Sequence, residues 1–218
     1  MSIARAALFD LDRTLVRVET ASLYVKYTRE IGETTWRDDL QVGWWVLQYT
    51  LGALDAQAVA EQAFATMKGV PETVLAARCD DWFNRYVERH ICDRGRQAVA
   101  YHHDRGDILA IVTGASPYVA RPLAQRLNIP HVVATELEVI DHTLTGRPVY
   151  PLCYAHGKIE RAQKLADSLG FRLEDATFYS DSFTDLPLLE AVREPVVVNP
   201  DPRLKREAAR RKWRVERW

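Results

Sequence analysis

Four short segments of the chain carry side chains that could do chemistry together. The first, Asp10-Leu11-Asp12-Arg13-Thr14, follows an apolar run and sets two carboxylates two residues apart. They can converge on one point as the chain turns, or stand solvated in a loop. The second, Thr113-Gly114-Ala115-Ser116, places a hydroxyl and a backbone-exposing glycine before a helix start. That arrangement suits an anion, and it is also what an ordinary capped helix looks like. Lys158, after His156-Gly157, opens a further helical segment, and Ser180-Asp181-Ser182-Phe183-Thr184-Asp185 adds two carboxylates four apart. This last spacing fits a hard cation or a pair of caps. In chain order the segments supply a carboxylate pair, a hydroxyl, a lysine and a second carboxylate pair.

Each segment follows a candidate strand or opens a candidate helix, so all four can meet at one sheet edge. Short, continuously apolar runs at Ala6–Phe9, Ile108–Val112, 131–134, 176–179 and 195–198 read as strands covered on both faces. They alternate with helix-period segments, the signature of a parallel sheet with crossover helices. Ile159, Ala162, Leu165, Ala166 and Leu169 recur at three and four, and Gly170 stands where a left-handed cap belongs. Ser116-Pro117 reads as N-cap and first position of another helix, which Pro122 should kink or shift. Val139-Ile140, Asp141-His142 and Leu144 with Gly146 predict a small hairpin.

The first two strands are separated by 98 residues, far more than one strand-helix-strand unit of about 30 requires. Helical spacing of Leu23, Tyr24, Tyr27 and Ile31, of Val59, Ala63, Phe64 and Met67, and of Leu75, Cys79, Trp82, Phe83, Tyr86 and Val87 fills the gap. The expected architecture is α/β: a doubly wound, Rossmann-like parallel core from residues 1–17 and 91–218, with an all-helical cap at 18–90 joined by short hinges.

Composition excludes several classes. With 218 residues, 47% apolar, 27% charged and a net charge of −1, the chain is neither disordered nor built for a duplex, so no nucleic-acid partner is expected. The longest weakly polar stretch, 42–54, is too short to span a membrane. The N-terminus lacks the features of a secretory signal, so a cytoplasmic protein is expected. Cys79, Cys92 and Cys153 are widely spaced and form no CxxC pair, which argues against a disulfide framework or thiolate zinc site. Oligomeric state is not legible.

Together the four segments resemble the motifs of the haloacid dehalogenase superfamily of phosphotransferases, specifically its phosphoserine-phosphatase-like branch. They stand as FDLDRTL from Phe9, IVTG ending at Gly114, Lys158, and YSDSFTD from Tyr179. The resemblance covers essentially the whole chain, including the inserted cap. It implies that Asp10 is the nucleophile, Asp12 the general acid/base, and Thr113, Gly114 and Lys158 the phosphate-binding groups. It further implies that Mg²⁺ is held by Asp10, the backbone carbonyl of Asp12 and Asp181, with Asp185 supporting the metal site. Ser180 departs from the glycine common before the metal-binding aspartate. Arg13 departs from the usual serine.

The chemistry has its own logic. A phosphate dianion repels a carboxylate, so a cation and the lysine must cancel charge before Asp10 can reach phosphorus and form an aspartyl-phosphate. Asp12 must be protonated to expel the alcohol and then act as base on water, which predicts a pKa above the ordinary carboxylate value near 4. The expected activity is Mg²⁺-dependent hydrolysis of a small phosphate monoester. By the same resemblance Glu19 would reach a substrate ammonium, although a solvated acid at a helix start is an equal reading. No Arg occurs between residues 40 and 77, so a carboxylate clamp is missing there. An amino-alcohol phosphate such as histidinol phosphate joins phosphoserine among the candidate substrates.

Two rival functions stay open. A DxD metal-dependent transferase leaves Lys158 and Asp181 with Asp185 unexplained, while a non-enzymatic phospho-acceptor module would be much shorter and lack the helical insert. Trp44-Trp45 with Tyr49 reads as core at helical spacing, and His102-His103 as surface. The tail 201–218, with eight basic and three acidic residues, reads as a solvated terminal helix.

Overall fold

A computed structural model describes residues 4–33 and 56–218. The 42–54 stretch and Trp44, Trp45 and Tyr49 lie outside the described residues. Eight strands and eight α-helices are described: β1 (Ala6–Phe9), α1 (Thr20–Glu30), α2 (Ala56–Ala65), α3 (Glu72–Trp82), α4 (Asp93–Asp104), β2 (Ile108–Val112), α5 (Pro117–Arg126), β3 (His131–Val133), β4 (Leu137–Ile140), β5 (Thr143–Pro148), α6 (His156–Leu169), β6 (Thr177–Ser180), α7 (Leu186–Ala191), β7 (Glu194–Val198), α8 (Pro202–Arg211) and β8 (Arg214–Glu216).

Six strands form one parallel sheet in the order β3-β2-β1-β6-β7-β8. From β1 the chain winds outward through β2 and β3, then returns beside β1 as β6 and winds the other way. The order therefore reverses between β1 and β6, and the crevice beyond their carboxyl ends is where such a sheet receives a ligand.

Period-two alternation sends each strand's side chains to both faces. Ala7, Phe9, Leu109, Ile111, Val196 and Val198 pack with Val99 of α4 and Leu123 of α5. On the other face, Ala6, Leu8, Ala110, Val112, Phe178 and Val197 pack with Ala162 of α6, Leu188 of α7 and Leu204 of α8. Both faces are covered, which is why these strands are apolar throughout. Burying a leucine or phenylalanine such as Leu8 or Phe9 contributes about 2–3 kcal/mol, so the strands beneath the carboxylates are firmly held.

Several local expectations are met. Gly170 ends α6 at φ 71. Asp141 and His142, at φ 49 and 59, make a two-residue turn between antiparallel β4 and β5, the left-handed pair that matches hairpin twist. Ser116 precedes Pro117 at the head of α5 as expected, but the helix runs on through Pro122 to Arg126, so the expected shift of its start is not found. The proline lies in the second turn, where it removes a single intrahelical donor.

Two readings are corrected. His102 is buried at 5% exposure, not superficial. Its Nδ1 lies 2.8 Å from Asp107 Oδ2 and its Nε2 3.0 Å from the Tyr179 hydroxyl, so the polar ring is fully partnered inside. His103 is exposed. The tail is not merely a solvated helix: Leu204 and Ala208 of α8 are buried, and β8 adds a sixth strand along β7. A three-residue strand in which two residues, Arg214 and Glu216, are charged carries too little apolar pattern to be legible alone.

The helical segments between β1 and β2 meet the sheet at paired linkers. Val16 bridges Ile91, the Arg17 amide donates to the His90 carbonyl, and the Cys92 amide donates to the Leu15 carbonyl. Beyond α3 the helix opens into a π turn, Phe83–Val87, that buries Phe83, Tyr86 and Val87. Phe64, Leu75 and Cys79 of the insert share a core with Leu137 and Leu144 of the hairpin. Backbone bonds from Gly69 to Leu144, from Leu144 to Val70 and from Glu72 to His142 stitch that hairpin to the insert.

Candidate active site

The first carboxylate pair begins where β1 ends. The Asp10 amide donates to the Tyr179 carbonyl at 2.9 Å, one last parallel sheet bond that ties the residue to β6. The chain then turns: buried Leu11, Leu15 and Val16 anchor it, and the Val16 amide returns to the Leu11 carbonyl. Arg13 sits in this turn at φ 54, a left-handed conformation that costs a non-glycine residue about 1 kcal/mol. Asp12 faces the start of α1, its Oδ1 accepting from the Thr20 amide at 2.7 Å.

Lys158, on the first turn of α6, reaches back under the sheet edge. It is only 4% exposed, and its Nζ lies 2.7 Å from both Asp10 Oδ1 and Asp185 Oδ2. Gly157 makes this approach possible, since a Cβ there would fall 2.0 Å from the Leu152 carbonyl oxygen. Asp185 is held from a second side by the Ser180 hydroxyl, at 2.7 Å. The serine that replaces the usual glycine thus orients a carboxylate, and its backbone is not left-handed.

Asp181 is 6% exposed, its carbonyl accepting from the Asp201 amide. Its Oδ2 lies 3.4 Å from Arg13 Nε, and Arg13 Nη1 lies 3.9 Å from Glu19 Oε1. Glu19, at the mouth, precedes α1 without capping it. Thr113 is buried where β2 ends, and its hydroxyl oxygen accepts from the Ala115 amide at 3.2 Å, which leaves its proton free to donate. Gly114 beside it is exposed.

The electrostatics follow from burying Asp10, Asp181 and Asp185, with Asp12 half-buried and Glu19 exposed beside them, near two cations. Burial pushes the Asp10 carboxyl up to about 7 even though Lys158 pulls it down. Burial likewise raises Asp12 to about 6, opposed by the Thr20 amide. Asp181 rises to about 8, through burial and then through the charge of Asp10. For Lys158, burial works against the charged form, but Asp10 and Asp185 outweigh it and hold the ammonium well above its ordinary value.

Among the described residues, no group of three or more His, Cys, Asp and Glu side chains is arranged to hold a metal ion. Magnesium does not need one. It accepts one or two carboxylates and keeps several waters, and the set implied by sequence is two carboxylates with one backbone carbonyl. Buried Asp10 and Asp181 are hard oxygen donors in a cluster that also holds Asp12, Asp185 and Glu19, more carboxyl groups than Lys158 and Arg13 can offset, so they fit a divalent cation. A cavity of about 650 Å³ lies elsewhere, lined by Arg5, Tyr101, His102, Asp107, Arg214 and Trp218 among others. None of the carboxylates at the carboxyl ends of β1 and β6 lines it, so its size carries no weight in placing the chemistry.

Sequence reasoning missed three supporting groups. Gly157 and the Ser180 hydroxyl act through tertiary contacts that no local pattern announces. Arg13 was visible as a departure from the usual motif, and its ion pairs were not.

Comparison with known proteins agrees with this geometry. The family model described as haloacid dehalogenase-like hydrolase matches residues 7–190. Phosphoserine phosphatase SerB1 of Mycobacterium tuberculosis is 30% identical over 99% of this chain and 71% of its own length. A histidinol-phosphatase of Neisseria meningitidis is 29% identical over 96% of each chain. A crystal structure of a Bordetella pertussis protein of unknown function superposes with a TM-score of 0.90 at 29% identity, covering 98% of both chains. The chain belongs to the haloacid dehalogenase-like hydrolase family and is an enzyme of its phosphatase branch.

Proposed function

We propose that this enzyme is a Mg²⁺-dependent phosphomonoesterase that works through an aspartyl-phosphate on Asp10. The observation that carries the reading is the Lys158 ammonium at 2.7 Å from both Asp10 and Asp185, beside an Asp12 whose carboxyl is raised to about 6. In the first step an Asp10 oxygen attacks phosphorus, the bond to the ester oxygen breaks, and protonated Asp12 delivers its proton to the departing alcohol. In the second, ionised Asp12 takes a proton from water. That water attacks phosphorus, freeing Asp10 and inorganic phosphate. Lys158, the Thr113 hydroxyl and amides around Gly114 hold the equatorial oxygens. Magnesium, held by Asp10, Asp181 and the Asp12 carbonyl, would supply the charge that lets anion approach anion; Asp185 supports the site through Lys158 and Ser180.

The described parts of the 18–90 insert, 18–33 and 56–90, are joined by the paired linkers, a connection that suits a cap able to close over the site. For the substrate we favour a small amino-alcohol phosphate whose ammonium meets Glu19. Among the described cap residues, Arg78 is paired with Glu33, Arg85 with Glu30 and Asp81, and Arg89 lies against His90 and Tyr86. These guanidiniums are committed elsewhere, which favours an ester without a carboxylate, such as histidinol phosphate, over phosphoserine. Relatives bearing both names support the class. A cytoplasmic setting accords with three buried, unpaired thiols.

The test is turnover of histidinol phosphate, phosphoserine, phosphoethanolamine and sugar phosphates, with Mg²⁺ and with chelator. The amine esters should be fastest, and chelator or Asp10→Asn should abolish turnover. Fastest turnover of a sugar phosphate removes the role of Glu19. Undiminished activity in Asp10→Asn refutes the nucleophile.

A further inference from the structure

Arg13 stands apart from the other cations of the site. Lys158 is buried and committed to Asp10 and Asp185, whereas the Arg13 side chain is 48% exposed and can move. In the structure its Nε faces Asp181 Oδ2 at 3.4 Å, and its Nη1 faces Glu19 Oε1 at 3.9 Å. Among the described residues Asp181 makes no other ion pair: Lys158 is bonded to Asp10 and Asp185, and Asp181 itself is 6% exposed. Arg13 therefore compensates a buried carboxylate of the cluster that Lys158 does not serve.

We infer that Arg13 is a built-in rival of the divalent cation: it neutralises Asp181 in the metal-free protein and is driven off toward Glu19 when the ion takes that carboxylate. The inference rests on the magnesium reading of the site. A guanidinium brings a single, spread charge and donates hydrogen bonds to one carboxylate. A compact divalent ion can draw on Asp10 and Asp181 together, so it wins when abundant. The exchange sets how much magnesium the enzyme needs.

The experiment is calorimetric titration of the chelator-stripped full chain with MgCl₂ alone, without substrate, at pH 7.5. Arg13→Ser and Arg13→Gln should bind Mg²⁺ roughly three- to tenfold more tightly than the parent, the range expected for removing one half-exposed charge beside a divalent site. Arg13→Lys, which keeps the charge, should stay near the parent. Arg17→Ser removes an exposed arginine paired with Asp93, outside the machinery, and should leave the affinity unchanged. The advantage of the neutral variants should shrink in concentrated KCl. Thermal unfolding gives a second readout: the metal-free Arg13→Gln protein should melt below the parent, and the gap should close with saturating Mg²⁺.

Unchanged or weaker Mg²⁺ binding in both neutral variants overturns the inference while leaving the magnesium reading intact. Equal tightening in Arg17→Ser overturns it too, because net charge would then be the cause. Absence of Mg²⁺ binding in the parent and in every variant overturns the metal reading and the inference together.

Discussion

Replacing Lys158 by methionine tests the electrostatic centre of the site without assuming anything about substrate. The side chain keeps its length and loses a charge that is bonded at 2.7 Å to two carboxylates, themselves 7% and 1% exposed. Removing one partner of a buried ion pair costs about 3–5 kcal/mol, because the remaining charge is left without compensation. Here the proton offers an escape. Burial already raises Asp10 to about 7 against the pull of Lys158, and without the lysine it must rise further. A carboxyl whose folded pKa lies above its unfolded value contributes full stability below the unfolded value and loses it as pH rises through the folded one. The variant's deficit should therefore be smaller near pH 5, where a proton on Asp10 leaves only Asp185 to lose its partner, and larger, several kcal/mol, near pH 8. Urea unfolding of parent and Lys158→Met in chelator, followed by circular dichroism at both pH values, measures this directly. A deficit that is equal at the two pH values, or larger at pH 5, would refute the account of Lys158 as counter-ion to buried carboxylates.

Other consequences can be checked separately. With Asp12 raised to about 6, attack on an alkyl ester should slow above that pH as the acid ionises, and water attack should slow below it as the base is protonated. Asp12→Asn on p-nitrophenyl phosphate, whose leaving group needs no proton, should release about one equivalent of nitrophenol per enzyme in a burst and then stall; steady parent-like turnover would remove Asp12 from the second step. Gly157→Ala forces a Cβ to within 2.0 Å of the Leu152 carbonyl, so it should cost about 2–3 kcal/mol of unfolding free energy and lower activity by displacing Lys158. His102→Ala should cost about 2–4 kcal/mol by leaving Asp107 and the Tyr179 hydroxyl without their partner, whereas His102→Gln should recover part of it; equal stability of the two would make the bonds irrelevant.

Much of this molecule is written in short-range pattern. Continuous apolar runs located five strands of the main sheet, three-and-four spacing located α1, α2, α3 and α6 but not α4 or α7, and a 98-residue gap announced the insert. Asp10, Asp12, Thr113, Lys158, Asp181 and Asp185 were legible because each sits where a strand ends or a helix begins, and a parallel sheet gathers such positions at one edge. Burial was not written locally. His102 looked superficial beside His103, and only packing of α4 against Phe9 and Tyr179 shows one histidine turned inward. The last strand was equally silent, because β8 is charged and short and owes its conformation to the neighbouring edge of β7.

What the sequence by itself determined is the inventory of reactive groups and their order along an α/β chain, since these depend on residue type and on periodicities of two and 3.6. Tertiary structure alone decided which charges face one another: that Lys158 divides itself between Asp10 and Asp185, that Ser180 braces Asp185, and that Arg13 turns to Asp181. Two of those pairings, Lys158 with Asp10 and Arg13 with Asp181, join residues more than a hundred positions apart, and such contacts also set the buried carboxyls' proton affinities, because desolvation and charge act through space rather than along the chain.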